Sequence, residues 1–449
     1  MTHTAVLTKN SVSSTLIKLT IPMIGGMIGM VIFNLVDTYF ISLLGTDQLA
    51  AMGFTFPVVM TLGSIALGLG VGTSAVVSQL IGQGDHYLVR RQSTDSLLFS
   101  FILVSILTFT GLFTIRPLFT LLGADSRLLG FIQQYMRIWY FGLPFLVIPM
   151  VGNNLIRSAG NTVIPTLIML TAACINIVLD PLLIFGLGPF PALGLKGAAI
   201  ATVIARAGTF VSSLYFLHFK FDMLTIKRPK FEELIFSWKE MLYIAVPAAI
   251  TQLILPLSMG VITRMVADFG KEAVAALGVG IRIEAFALAP VRALSAVFLP
   301  FVGQNMGARK MDRIKQGIKM SRYFSVGMGV ILFLVFLLGG KWISTLFSQD
   351  AEVIRILYHY LVLVSAGYGL LGIVRINASF FNAIKKPFHS MALNVLRAFL
   401  LYIPLAYVLS QFLNLEGVFI GSLASSVIAG VISWLWVSAT TDKFLNVFG

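Results

Sequence analysis

Three carboxylates stand where carboxylates are expensive. Asp37, Asp180 and Glu284 lie inside runs that are otherwise apolar, whereas nearly all the rest of the eighteen acidic residues fall between such runs or at their ends. An ionisable group inside hydrocarbon is costly unless it faces a polar interior, so each is a candidate for chemistry. Asn34 precedes Asp37 by three residues and Asn176 precedes Asp180 by four, spacings that set amide and carboxyl near one helix face. Asp37 is eight residues before Gly45, Asp180 eight before Gly188 and Thr202 eight after Gly194. At 1.5 Å per residue all three lie about 12 Å below one surface. Asp37, Asn34, Asn176, Asp180 and Thr202 are therefore expected to converge. Two carboxyls in a low-dielectric pocket cannot both ionise cheaply, so they would hold a proton and titrate as a unit. Sodium is the alternative occupant, with Asp37, Asn176, Asp180 and Thr202 as hard oxygen ligands. Two structural readings stand beside these: Asp180 capping a helix broken at Pro181, and Glu284 pairing with Arg282 or Arg292. Glu284 and Gln252 are the further candidates for contact with substrate or ion.

The elements that must position these groups are membrane helices. Of 449 residues 57% are hydrophobic and only 11% charged, with a mean hydropathy of +0.92. The apolar runs reach the roughly 20 residues that a helix needs to cross a bilayer. They begin near Leu16, Ala50, Ser96, Phe131, Ile164, Gly194, Trp238, Ala273, Tyr323, Val353, Ser390 and Gly417. An all-α polytopic membrane protein with twelve transmembrane helices is expected. The opening "MTHTAVLTKNSVSS" is polar and the run from Leu16 is too long for a signal peptide, so the first span should be retained.

The net charge of +14 is patterned by loop. Basic clusters at Arg90 and Arg91, from Lys220 to Lys239, from Arg309 to Arg322 and at Lys385 and Lys386 alternate with loops that carry Asp47, Asp125, Glu272, Asp350, Glu352 and Glu416. This is the positive-inside pattern, which accounts for the charge without a nucleic-acid partner. It places both termini in the cytoplasm, and a bacterial inner membrane is expected. Cys174 is alone and the five histidines are scattered, so disulfide, metal-cluster and cofactor chemistry are not indicated. "GLGVG", Gly68 to Gly72, has no strand before it, and helix packing is its expected use, as for Gly25 and Gly29.

The chain is also a duplication. "LLGTDQLAAMG", Leu43 to Gly53, matches "DFGKEAVAALG", Asp268 to Gly278, at a shift of 225, which also carries Pro22 onto Pro247, Asp125 onto Asp350 and Tyr135 onto Tyr360. Pro165 falls on Pro387 and Gly197 on Gly417 at slightly smaller shifts. The expected organisation is two pseudo-symmetric six-helix lobes, residues 1–218 and 241–449, joined by a cytoplasmic linker at 219–240. Parallel repeats of this kind suit alternating access around a central site. Two lobes in one chain form such a site without a second copy, so a monomer is expected. Pro22 lies in the same span as Asp37 and is a candidate hinge that protonation of Asp37 would bias.

These residues resemble the multidrug and toxic compound extrusion (MATE) transporters. The likeness covers nearly the whole chain: Pro22 and Asp37 in span 1, "VSQLIGQGD" after span 2, "RSAGNTVIP" after span 4 and "PFVGQNMGA" after span 8. It implies a protein that is not an enzyme but an antiporter, exporting organic cations and amphiphilic drugs against H+ or Na+ entry. The DinF-like branch is the nearer, since it places an Asp in span 1 and an Asn, an Asp and a Thr in spans 5 and 6, matched by Asp37, Asn176, Asp180 and Thr202. The NorM-like branch carries acidic cation sites in spans 7 and 10, where this chain offers Gln252 and, after Glu352, no carboxylate. Coupling is thus expected in the first lobe. The alternative is a lipid-linked oligosaccharide flippase of the same superfamily, with Arg157, Arg206, Arg264, Arg375 and Arg397 lining a basic cavity. A membrane-embedded enzyme would need a nucleophile or metal constellation within the spans, and none is visible.

Overall fold

A computed structural model describes residues 5–448, with side chains through residue 442. Among the described residues every regular element is helical: α1 (Val12–Ser42), α2 (Thr46–Gln83), α3 (His86–Leu121), α4 (Ser126–Phe141), α5 (Pro144–Ser158), α6 (Val163–Phe185), α7 (Leu195–Tyr215), α8 (Phe231–Ala267), α9 (Lys271–Ala287), α10 (Ala289–Gly307), α11 (Met311–Thr345), α12 (Ala351–Ser365), α13 (Tyr368–Ala383), α14 (Pro387–Val395) and α15 (Ile403–Phe448). Eight stretches are helical, apolar and long enough to span, and three more spans are bent pairs, α4 with α5, α9 with α10 and α12 with α13, at 45°, 49° and 54°. The last stretch is two helices joined across a kink at Asn414, which brings the crossings to twelve. Prolines at Pro144 and Pro290 open the second member of two bent pairs, where the missing N–H belongs to a first turn and costs little.

Most helices begin several residues before the apolar runs do, because polar first turns are helical too. Asp85 caps α3 by accepting from Leu88 N at 2.9 Å, and Asp125 caps α4 from Leu128 N at 2.8 Å. Asp350, its counterpart in the repeat, caps α12 from Glu352 N at 2.8 Å. These loop carboxylates satisfy amides that a helix start leaves without partners.

The chain forms two compact units. The first takes in Pro22–Ala249 and the second Leu7–Ile21 and Ile250 onward. These boundaries differ from those expected at 218 and 241: α1 belongs to the second unit up to Ile21, and α8 to the first up to Ala249. Residues 231–240 are not linker but the first turns of α8. Their amphipathic sequence explains it, because their polar groups find fixed partners on α3. Gln92 Nε2 donates to Ser237 O at 2.9 Å, and Trp238 Nε1 to Asp95 O at 3.0 Å. The preceding loop is tied to α3 as well, by Arg90 Nε to Asp222 O at 3.0 Å and Arg91 to Lys227 O at 2.7 Å.

Within the first unit the core gathers around Phe119, Ile132, Met136 and Trp139. The "GLGVG" stretch is a packing face: a Cβ on Gly68 or Gly72 would come 2.6 Å from the carbonyl oxygen of Ala245 or Met241 on α8. Gly29 packs against Leu170, but the space around Gly25 is open and its neighbour Gly26 makes the contact instead, against Thr166. In the second unit the core includes Leu277, Leu357, Leu361 and Phe419. There "FVGQN" clamps the short helix Val6–Thr8: Leu7 N donates to Gln304 Oε1 at 3.0 Å and Asn305 Nδ2 to Leu7 O at 3.2 Å.

Candidate functional site

The site of the first unit is built on two hairpin-joined helices. After α6 the chain turns through Gly186 in the left-handed conformation (φ 73°), and Gly197 is pressed onto the backbone of Leu183, an approach only glycine permits. That closeness sets α7 beside α6 in register. Asn176 and Asp180 are one turn apart on α6 and Thr202 faces them from α7; all three are buried. Asn176 Nδ2 donates to Asp180 Oδ1 at 3.2 Å and lies 3.4 Å from Thr202 Oγ1. Asp37, half-buried on α1, brings its carboxyl within hydrogen-bonding reach of that of Asp180.

The cluster has more acceptors than its donors serve. Among the described residues Asp37 Oδ1, Asp180 Oδ2 and Asn176 Oδ1 are all buried with no hydrogen-bond partner. Buried acceptors are normally paired, and leaving one bare costs its full desolvation. Three in one cluster form a set of hard oxygens suited to one proton or one small cation. Asp180 Oδ1 accepts from the Asn176 side chain, and α6 continues unbroken past Pro181, so Asp180 stands inside a helix rather than capping one.

Two further groups face the cluster. Tyr135 on α4 lies within electrostatic reach of Asp37 and Asp180, and Arg206 on α7 within reach of Asp37 and Tyr135. The Arg206 guanidinium sits over the Trp139 ring at 5.6 Å, and its Nη1 is buried with no acceptor. With two carboxyls and one guanidinium the pocket is one charge short of neutral when both carboxyls are ionised. One bound monovalent cation restores the balance. Neither Tyr135 nor Arg206 stood among the coupling candidates. Arg206 carried the signal, being a charge eleven residues into an apolar span.

Asn34 is not brought in. Its side chain is exposed on α1 and its Nδ2 donates back to Met30 O at 2.9 Å. A spacing of three residues leaves it about 60° around the helix from Asp37 at 100° per residue, which is enough to miss the pocket. Pro22 lies inside α1, which runs unbroken past it. Its carbonyl accepts from Thr166 Oγ1 at 3.0 Å, so α6 grips the helix at this point.

The second unit has a cluster of its own around Glu284, whose Oε2 accepts from Tyr360 Oη at 3.0 Å. Tyr368 lies beside the same carboxylate, its hydroxyl buried without a partner at hydrogen-bond geometry. Arg292, Arg375 and Arg397 are within electrostatic reach of Glu284. The expected ion pair is absent: no guanidinium is within pairing distance of Glu284 among the described residues. Gln252 is half-buried on α8 and makes no hydrogen bond to either cluster among those residues. Arg264 is exposed and pairs with Asp268 at 2.8 Å.

The MatE family model matches residues 22–182 and 247–408, one copy on each half. The FAD transporter of Shewanella oneidensis is 40% identical over 94% of this chain and 93% of its own length. The multidrug export protein MepA of Staphylococcus saprophyticus is 25% identical, over 97% of this chain and 95% of its own. Among solved structures, the Vibrio cholerae MATE transporter VcmN in the bent form superimposes with a TM-score of 0.92 at 30% identity, covering 97% of this chain and 98% of that one.

Proposed function

Because the chain belongs to the MatE family of membrane transporters, we propose that it exports its cargo by alternating access, driven by entry of H+ or Na+ at the Asp37 and Asp180 pocket. The observation that carries this reading is the set of three buried, donorless acceptors on Asp37, Asn176 and Asp180. Filling them with a cation neutralises the pocket and changes the cost of burying α1 against α6. Pro22 is the point on α1 where such a change is absorbed, since proline has already removed one helical hydrogen bond there. The coupling ion is the transported species, and no resident cofactor enters the cycle.

The cargo that the relatives support best is FAD, through the near full-length relative at 40% identity. Amphiphilic drugs and organic cations are the second reading, supported by the MepA relative at 25%. On either reading the protein works as a monomer in the bacterial inner membrane with its termini cytoplasmic, an orientation that the loop charges support.

The test is transport by the purified protein in proteoliposomes, with a proton or a sodium gradient imposed separately and either FAD or a cationic dye as cargo. One gradient should drive uptake by wild type, and Asp37→Asn should reduce it to background while remaining folded. Gradient-driven transport by Asp37→Asn at the wild-type rate would remove the coupling assignment.

A further inference from the structure

The cluster in the second unit has the opposite sign to the coupling pocket. Arg292 opens α10, Arg375 lies within α13, and Arg397 sits in the widened π-helical segment Leu396–Tyr402 that follows α14. Such widened turns are often found at functional sites. Three guanidiniums, all within electrostatic reach of a single carboxylate and with Arg375 in reach of the other two, leave two positive charges in excess.

A structural cluster would use its charges on one another, and this one does not. The Nε of Arg292, of Arg375 and of Arg397 is buried with no acceptor. All three side chains are half-buried, and among the described residues their terminal guanidinium nitrogens have no hydrogen-bond partner. Glu284 is engaged by Tyr360 rather than by an arginine. Like charges held together inside a membrane-spanning unit, unpaired and only partly covered, are the arrangement of a receptor for an anion.

We propose that Arg292, Arg375 and Arg397 bind a phosphate-type dianion, and that this is the pyrophosphate of a dinucleotide cargo. The excess of two positive charges matches the two negative charges of a pyrophosphate diester. Planar, forked guanidiniums suit phosphate oxygens better than ammonium groups do. Glu284 limits the affinity by its own charge. The identity of the cargo rests on the FAD reading above; the anion site itself does not.

The experiment uses the full-length protein in phosphatidylcholine nanodiscs, read by flavin fluorescence and thermal unfolding. FAD, riboflavin, which carries no phosphate, and inorganic pyrophosphate are titrated separately. FAD should bind at least about tenfold tighter than riboflavin, as expected for charge-assisted contacts. Arg375→Gln and Arg397→Gln should each weaken FAD by about tenfold, leave riboflavin unchanged and abolish the thermal shift given by pyrophosphate, while Arg375→Lys recovers part of the loss. Because each glutamine variant relieves like-charge repulsion, its unfolding temperature without ligand should be equal to or above that of wild type. A merely structural arginine would lower it.

Equal FAD binding by wild type and both glutamine variants would overturn the anion site and leave the FAD reading standing. No FAD binding by wild type, together with an arginine-dependent pyrophosphate shift, would overturn the FAD cargo and keep the site. Loss of the pyrophosphate shift when phosphatidylglycerol is added would assign the array to a lipid headgroup and overturn the cargo assignment.

Discussion

Tyr135 and Tyr360 are the same position in the two halves, 225 residues apart, and they stand in opposite surroundings. Tyr135 faces the carboxyls of Asp37 and Asp180 with Arg206 near. Tyr360 donates to the lone carboxylate Glu284, with three arginines around it. The backbones, by contrast, have kept step. Gly194 before α7 has φ 54° and ψ −131°, and Asn414 in the second half has φ 51° and ψ −137°. Gly197 and Gly417 press on the carbonyls of Leu183 and Leu409 in the same way. The path of the chain is constrained because a changed turn would move whole helices. Interior charge is free to diverge, since a buried polar cluster is costly at either sign and is kept only for what it binds.

The strongest way to break this contrast is to neutralise each half in turn. Asp37→Asn should abolish gradient-driven transport, whereas Glu284→Gln should keep it within about threefold and tighten the binding of an anion, because only a like-charged neighbour of the ligand is lost. Transport in proteoliposomes and FAD titration read the two effects separately. If Glu284→Gln also uncouples transport, the second cluster shares the coupling role and the division of labour between the halves fails.

Arg206→Gln sharpens the contrast with a smaller effect. A unit charge several ångströms from the pocket, at an effective dielectric near 20, is worth about 1–2 kcal/mol, or roughly tenfold in affinity. Removing a positive neighbour favours the cation-loaded pocket. Half-saturation should therefore fall to about a tenth of the wild-type cation concentration, measured as the ion dependence of transport. A rise in that concentration would mean that the guanidinium positions the carboxyls rather than opposing their cation.

Much of the first site could be read from residue order, because a carboxylate in an apolar run stands out and the spacing from Asn176 to Asp180 is a helix turn. Tyr135 and Arg206 were harder: a tyrosine is unremarkable in a membrane helix, and an arginine reads as a span end unless its depth is counted. Asn34 was attached to Asp37 by a spacing that is only approximately one face. The second cluster was the least legible, since Arg292, Arg375 and Arg397 lie on three separate elements and only the fold brings them to Glu284. The helix count followed from hydropathy, but the breaks at residues 142–143 and 366–367 did not, because a bend within an apolar run leaves the run apolar. The stretch expected as a linker, 219–240, is helical over residues 231–240: its charges suggest a loop, while its partners on α3 hold it as helix.

The smallest effect tests the conserved backbone. Asn414 is exposed and holds a conformation that its counterpart Gly194 adopts without a side chain. Backbone strain of this kind costs of order 1–3 kcal/mol for a residue with a Cβ, and glycine gives back about 0.5–1 kcal/mol through the freedom it loses on folding. At the middle of both ranges Asn414→Gly should therefore be stabilising by about 1 kcal/mol, seen as a rise of one or two degrees in apparent unfolding temperature with unchanged transport. Gly194→Asn should do the opposite, and because nothing lies within 4 Å of a Cβ built there, its cost would come from the backbone alone. Opposite signs at the two positions would establish that the halves share one strained turn; a loss of stability for Asn414→Gly would mean that the asparagine side chain holds the second turn by a contact the first half does not have.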